Sequence, residues 1–338
     1  METNVGAKGN NRALADKKMA ALNKKFHRQG VVNGLLSGFT FALYSTIVAI
    51  AASYEPLISA AGIFAAPFVC SGLNDFFSGL WLLIYNIKLG KTKELMRTLK
   101  TKSGQMLVLG FLIGGPLANG AYLMGIAMAG AYAIPISATC SLFGTLFAWI
   151  FFKDRPSKRV ILGMILCVAG AGIIGYAKVD NAPNFTLGII CALIASMGWG
   201  LEGMFSSFGG SMLDSDVTVN LRQLISGLVI LILVIPFLGE VKLLVDTIVA
   251  VTPALWLVVS GLGAVFGYLL WYKANCQAGV AVGMSLNVTY AFWGVLLGVL
   301  FLDQPLTVNI VVGSIVIVLG AIIVTTNPLD FFKKGDEA

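Results

Sequence analysis

Trp199-Gly-Leu-Glu202 sets an indole and a carboxylate at i and i+3, on one face of any helix that carries them. Arg222-Gln223 lies in the next apolar run, and Asp75 lies in an earlier one, within "GLNDFFSG". An ionisable group inside such a run costs about 2.5–3.5 kcal/mol at a bilayer centre, so it faces a cavity or a partner. Both acids fall about one turn to the cytoplasmic side of the midplane by chain position. Two readings of Glu202 stand open. It is either a cation- or proton-binding group, or the ion-pair partner of Arg222 in a structural pair or gate. Asp75 has no obvious basic partner in the sequence, with Asn74 and Asn119 as its candidate hydrogen-bond donors.

Aromatic residues surround these acids. Phe41 and Tyr44, Trp199, and Tyr290 with Trp293 nearby fall near the middle of their runs, while Tyr268, Trp271 and Tyr272 fall nearer the cytoplasm. Membrane Trp and Tyr normally line the two interfaces. Rings at mid-depth serve either helix packing with a tied polar tip or an aromatic cage for a quaternary ammonium. No basic residue is expected close enough to the midplane to oppose a cation. Asn287-Val-Thr289 matches a glycosylation sequon, but inside an apolar run Asn287 reads as a polar lining residue. His27 is the sole histidine and lies in a polar tail, which argues against zinc and against a histidine proton relay. Cys70, Cys140, Cys167, Cys191 and Cys276 have no ligand spacing and read as small buried hydrophobes.

The elements that position these residues follow from composition. The 338 residues are 57% hydrophobic and 12% charged, with mean hydropathy +0.87. Continuous apolar runs of about 20 residues match the bilayer core, and period-2 alternation of the barrel type is absent. The chain is expected to be an all-α polytopic membrane protein. Ten transmembrane helices can be drawn, near 31–52, 58–86, 105–126, 131–152, 158–177, 186–207, 217–239, 254–274, 280–302 and 306–326. The first of them is read as an uncleaved span, not a signal peptide.

Charge sets the orientation. Nineteen Lys and Arg fall on the face shared by both termini, and only Lys178 and Lys242 on the other. Both termini are therefore expected in the cytoplasm, with the chain multi-pass in the inner (cytoplasmic) membrane. Two near copies of one motif sharpen this. Phe152-x-Asp154-x-Pro156 recurs as Phe301-x-Asp303-x-Pro305, and Lys153 and Arg155 become Leu302 and Gln304. The copies lie five spans apart, on opposite faces, and basic residues stay where positive charge favours the inside. Gly163 and Gly170 match Gly313 and Gly320. The layout expected is a basic tail over 1–30, two inverted five-helix repeats over 31–178 and 186–326, and a short cytoplasmic tail over 327–338. Inverted repeats are a transporter signature, with the substrate site near the midplane between halves. "IGGPLANG" (113–120) reads as a cavity-lining break or a simple kink in the third span, and "GAGIIG" (170–175) as a packing or dimerising face.

This layout resembles the drug/metabolite transporter superfamily in its EamA-like branch. Within it, "GIICALIASMGWGLEGMFSSF" (188–208), "LRQLISG" (221–227), "YLLWY" (268–272) and "SLNVTY" (285–290) resemble the bacterial choline permeases that feed phosphocholine decoration of teichoic acid or lipopolysaccharide. The resemblance covers most of 33–326. It implies choline held in an aromatic box between the halves, with Trp199, Glu202, Arg222, Gln223, Tyr268, Tyr272, Asn287 and Tyr290 at matching positions. Where the family has a Trp in the first helix, this sequence places Phe41, a weaker cation–π face.

The expected function is a secondary transporter that takes up a small organic cation such as choline. The candidate substrate-binding set is Trp199, Tyr290, Tyr268, Tyr44, Phe41, Trp271, Tyr272, Asn287, Glu202, Asp75 and Gln223, with Glu202 and Arg222 as gate or ion pair. Membrane potential would supply about 2.3 kcal/mol per charge per 100 mV. Proton coupling would need Asp75 or Glu202. No nucleotide motif, cofactor or metal is expected. The partners expected are the organic cation and the lipid bilayer, with a homodimer open and no nucleic acid. An exporter of metabolites or drugs is the nearest rival, and a non-transporting receptor the next. An intramembrane enzyme lacks a nucleophile–base constellation.

Overall fold

Long apolar runs leave too little polar surface for water, so their large side chains turn outward and their small and polar ones inward. Phe237 is 89% exposed and Val308 78%, while Ser78, Ser196, Asn220 and Arg222 are fully buried. A computed structural model describes residues 3–62, 64–129, 133–175, 184–210, 212–302 and 306–325. Among these residues the secondary structure is helical throughout, with no strand.

The helices are α1 (Thr3–Ala52), α2 (Ala65–Lys88), α3 (Thr92–Lys100), α4 (Lys102–Leu112), α5 (Ala118–Ala129), α6 (Ala133–Ala138), α7 (Cys140–Phe152) and α8 (Lys158–Gly175). They continue as α9 (Phe185–Gly210), α10 (Ser215–Val229), α11 (Ile235–Phe237), α12 (Val241–Val249), α13 (Val251–Ala278), α14 (Val280–Asn287), α15 (Tyr290–Phe301) and α16 (Val308–Thr325). Eight helical stretches among the described residues are long and apolar enough to cross a membrane, which makes the chain a polytopic membrane protein. The fourth and fifth expected spans coincide with the shorter apolar stretch Ile136–Phe152 and with α8.

Several expected boundaries move. The first helix starts near the N-terminus, and the basic tail is its continuation as far as Thr3. The second span begins at Ala65, because residues 53–60, around Pro56, form turns instead of helix. The Gly-Gly-Pro stretch keeps the third span helical, passing through one π-helical turn, Ile113–Leu117, between α4 and α5. Pro116 has no N–H to donate, and the wider turn absorbs that loss. The fourth and ninth spans are each interrupted, at Thr139 and at Val288-Thr289. Asp303, Gln304 and Pro305 of the second motif copy lie outside the described residues. In the first copy Lys153 caps α7 in the left-handed conformation (φ 59°).

Of the helix pairs that meet through glycine, two bear on the layout and the charged residues. A Cβ on Gly163 would lie 2.7 Å from the carbonyl of Gly320, and one on Gly170 2.7 Å from that of Gly313. So α8 and α16 pack antiparallel with backbones nearly touching, as small-residue faces permit. The face carrying Gly170 is thus filled from within the chain, and the packing reading of "GAGIIG" holds there. In the second pair, a Cβ on Gly79 of α2 would lie 2.9 Å from the Leu224 nitrogen, and one on Gly227 of α10 2.5 Å from the Phe76 nitrogen. This close α2–α10 crossing carries the charged residues.

Candidate substrate site

Arg222 sits on α10 at the α2–α10 crossing, with none of its surface accessible. Its Nε donates to Oε1 of Glu202 on α9 at 2.8 Å, and Nη2 lies 3.5 Å from Oε2. Nη1 donates to Oδ2 of Asp75 on α2 at 3.1 Å and also to the side-chain oxygen of Gln223. Of the two readings left open by the sequence, the structure contains the Glu202–Arg222 pair. It also corrects the reading of Asp75, whose basic partner is the same arginine. That partner is hidden in the sequence because it lies 147 residues away.

Hydroxyls add to the same carboxylates. Ser226 donates to Asp75 Oδ2 at 2.6 Å, and Tyr272 donates to Glu202 Oε1 at 2.9 Å. Gln223 Nε2 donates to Ser78 Oγ at 2.8 Å. Room for the acid comes from the π-helical turn, where a Cβ on Gly114 would overlap Glu202 and one on Gly115 would lie 2.5 Å from Ser226 Oγ. Asn119, a candidate donor to Asp75, instead accepts from Trp199 Nε1 at 3.2 Å. Asn74, the other candidate, does hydrogen-bond Asp75 and also accepts from Ser260 at 2.8 Å. Asn287 donates to Ser37 at 3.0 Å, tying α14 to α1.

The aromatic residues form two groups. Phe41 lies 4.8 Å from Tyr268, 5.3 Å from Tyr44 and 6.2 Å from Trp271, centroid to centroid. Tyr44 and Tyr268 are stacked, and Trp271 and Tyr272 meet edge to face. The Arg222 guanidinium lies 4.0 Å from the Tyr268 ring centre, a cation–π contact. This corrects the expectation that no cation lies near the cage. The Tyr268 ring is engaged by the protein's own charge, and Tyr268, Trp271 and Tyr272 are buried. Trp271 Nε1 is buried without a hydrogen-bond partner among the described residues.

The second group centres on Trp199, 5.1 Å from Tyr122 on α5. Tyr290 opens α15, directly after the break at Val288-Thr289. Tyr44, Tyr122, Trp199 and Tyr290 are only partly buried and keep accessible surface. Tyr122 is the ring that sequence reasoning missed. It lies two residues past "IGGPLANG", and its signal was a tyrosine next to a run already marked as cavity-lining or kinked. Chemically, the site offers two carboxylates to one guanidinium, beside aromatic residues that are only partly buried.

The described residues thus form an all-helical membrane bundle with a buried charged cluster at one helix crossing. Residues 186–326 match the EamA-like transporter family. Protein LicB of Haemophilus influenzae is 27% identical over 199 residues, covering 58% of this chain and 66% of that protein. The chain thus spans just under two thirds of LicB in that match. Two proteins of Bacillus subtilis, the uncharacterized transporters YvbV and YoaV, are 23% and 24% identical, covering 80% and 75% of this chain and 86% and 85% of theirs. A solved crystal structure shares the fold at TM-score 0.62 and 16% identity, over 89% of this chain and 96% of that one.

Proposed function

We propose that the protein is a secondary transporter that imports a small organic cation, choline or a related quaternary amine, across the cytoplasmic membrane. The observation that carries this reading is the charge imbalance at the helix crossing. Asp75 and Glu202, both buried, share one buried Arg222. With both acids ionised the cluster holds one excess negative charge in a setting of low dielectric. A second cation nearby, substrate ammonium or proton, would neutralise it. Trp199, Tyr44, Tyr122 and Tyr290, which are only partly buried, would supply the rings that a quaternary ammonium needs. Phe41 borders them through Tyr44. Tyr268, Trp271, Tyr272 and Gln223 serve as the wall that fixes Arg222. Asn287 holds the adjoining helix on α1.

The proposed architecture is ten spans in two inverted halves, with both termini cytoplasmic. Three correspondences support it. Ser78-Gly79-Leu80 and Ser226-Gly227-Leu228 recur 148 residues apart, Phe152 and Phe301 149 apart, and Gly163 and Gly313 150 apart. The α2–α10 contacts are reciprocal in the same sense: Asp75 bonds Ser226 while Gln223 bonds Ser78. A site between such halves opens to either side by rocking one against the other.

Counterflow of labelled choline into liposomes holding the purified protein and unlabelled choline tests the function, with an amino acid as control. Choline-specific exchange is the expected result. Exchange of neither solute, or of both alike, would reject a selective cation carrier.

A further inference from the structure

α1 leaves the bundle at Gly30, where a Cβ would lie 2.6 Å from the Ala278 nitrogen. Residues 16–29, just before it, are exposed at every position. This stretch is not uniformly polar. Met19, Leu22 and Phe26 fall at i, i+3 and i+7, one stripe along the helix. They are 59%, 61% and 47% exposed, apolar surface that no other part of the chain covers among the described residues. Lys18 and Lys25 border that stripe at about 100° of rotation per residue, and Lys17, Lys24 and Arg28 take the opposite side. Against these five cations the stretch carries one acid, Asp16.

We infer that residues 16–29 form a docking helix for anionic lipid headgroups of the leaflet from which α1 emerges. An apolar stripe flanked by lysines is the pattern of a helix lying in a bilayer interface, its stripe at the acyl boundary and its flanking amines among the headgroups. Its position joins it to that surface, since the span follows at residue 31. α1 runs unbroken through Gly30, and this residue, free of a side chain, is where the helix would bend into the membrane plane on docking. The cations complement an anionic leaflet, and a zwitterionic one offers them no net charge. The inference rests on the membrane-spanning reading of α1 but not on transport or orientation, because both leaflets of a nanodisc are accessible.

The test uses the full chain with its cysteines replaced and Leu22→Cys carrying an environment-sensitive fluorophore. It is placed in nanodiscs of phosphatidylcholine alone or with about a third phosphatidylglycerol. The expected result is a blue shift in the anionic discs only. That shift should be lost in 1 M salt, where the Debye length is about 3 Å, and lost when Lys17, Lys18, Lys24 and Lys25 are all changed to Glu. An equal shift in both discs overturns headgroup recognition, and no shift in either overturns docking. Energy transfer between labelled copies, independent of lipid charge, assigns the stripe to a second copy and overturns it too. Trypsin cutting of the unaltered chain at Lys17–Arg28 gives an independent readout. Protection confined to anionic discs is expected, and equal cutting in both discs rejects the inference.

Discussion

Arg222 donates to Glu202 at 2.8 Å and to Asp75 at 3.1 Å, so one guanidinium joins α9, α10 and α2. Asp75 belongs to the first half of the sequence and Arg222 to the second. The bridge therefore ties the halves where a transporter must also let them move. Removing one partner of a buried pair costs about 3–5 kcal/mol, because the charge left behind has no water. Arg222→Ala is expected to lower the yield and the thermal midpoint in detergent sharply. Arg222→Met combined with Glu202→Gln and Asp75→Asn should recover most of the stability, since no charge is then stranded, yet fail to transport. A triple variant that carries substrate at the normal rate would reduce the cluster to architecture.

Trp199 is fixed by Asn119 and Tyr122 and keeps part of its surface accessible. A desolvated ammonium gains about 2 kcal/mol on such a face, which is roughly thirtyfold in affinity. Trp199→Ala should weaken choline binding by about that factor in equilibrium titration, and Trp199→Phe by less. The neutral analogue with carbon in place of nitrogen should compete poorly. If it competes as well as choline, the rings are packing groups and the cation reading fails.

Orientation can be checked with single cysteines. Ser157 follows the first Phe-x-Asp-x-Pro copy and Thr307 the second. A membrane-impermeant thiol reagent is expected to label Ser157→Cys from the cytoplasmic side and Thr307→Cys from outside. Labelling of both from one side would remove the inverted layout.

Lys91 bonds Asp214 at 2.8 Å and Asp216 at 3.0 Å, and Asp214 also caps α10 through the Asp216 and Val217 nitrogens. Burial pushes the Asp214 carboxyl up, but the Lys91 bond and the capping N–H groups outweigh it and hold it below its ordinary 3.8. The same bond to Asp214 raises Lys91 above its ordinary 10.5. Asp214 therefore stabilises the fold fully above about pH 4 and loses that effect as pH falls through its lowered pKa, while Lys91 loses its effect only as pH climbs through its raised one. The pair is partly exposed, so its ionic share is small. Most of the loss in Asp214→Ala comes from the cap, about 1 kcal/mol. Thermal midpoints should show the gap between variant and parent constant from pH 5 to 9 and narrowing below pH 4. A gap that persists unchanged at pH 2 would exclude the charge-linked part.

Helices of membrane length were legible because lipid imposes one dominant rule, an unbroken apolar run. The run 254–274 contains no proline and appears as the middle of α13. The run 58–86 begins with Pro56 just upstream and residues 53–60 in turns, and there hydropathy alone placed the helix start too early. The Glu202–Arg222 pair could be read from depth, since their helices are neighbours in the chain. Its extension to Asp75 could not, because the α2–α10 crossing brings together residues far apart in sequence. The repeated Ser-Gly-Leu at 78–80 and 226–228 was the available signal for that crossing. It stayed inconspicuous because small residues are common in every membrane helix.

The sequence by itself determined that this chain is helical and membrane-spanning, because 57% hydrophobic composition in long runs has no other stable solution in lipid. It also determined which side chains were costly enough to need a reason, Asp75, Glu202 and Arg222. The tertiary structure alone decided how those costs are met. Close glycine contacts let α2 and α10 approach until one arginine reaches two acids. The same packing buried Tyr268, Trp271 and Tyr272 around that arginine and left Tyr44, Tyr122, Trp199 and Tyr290 only partly buried. Residue type sets what a ring can bind, but whether its face is free depends on neighbours that only the folded chain supplies.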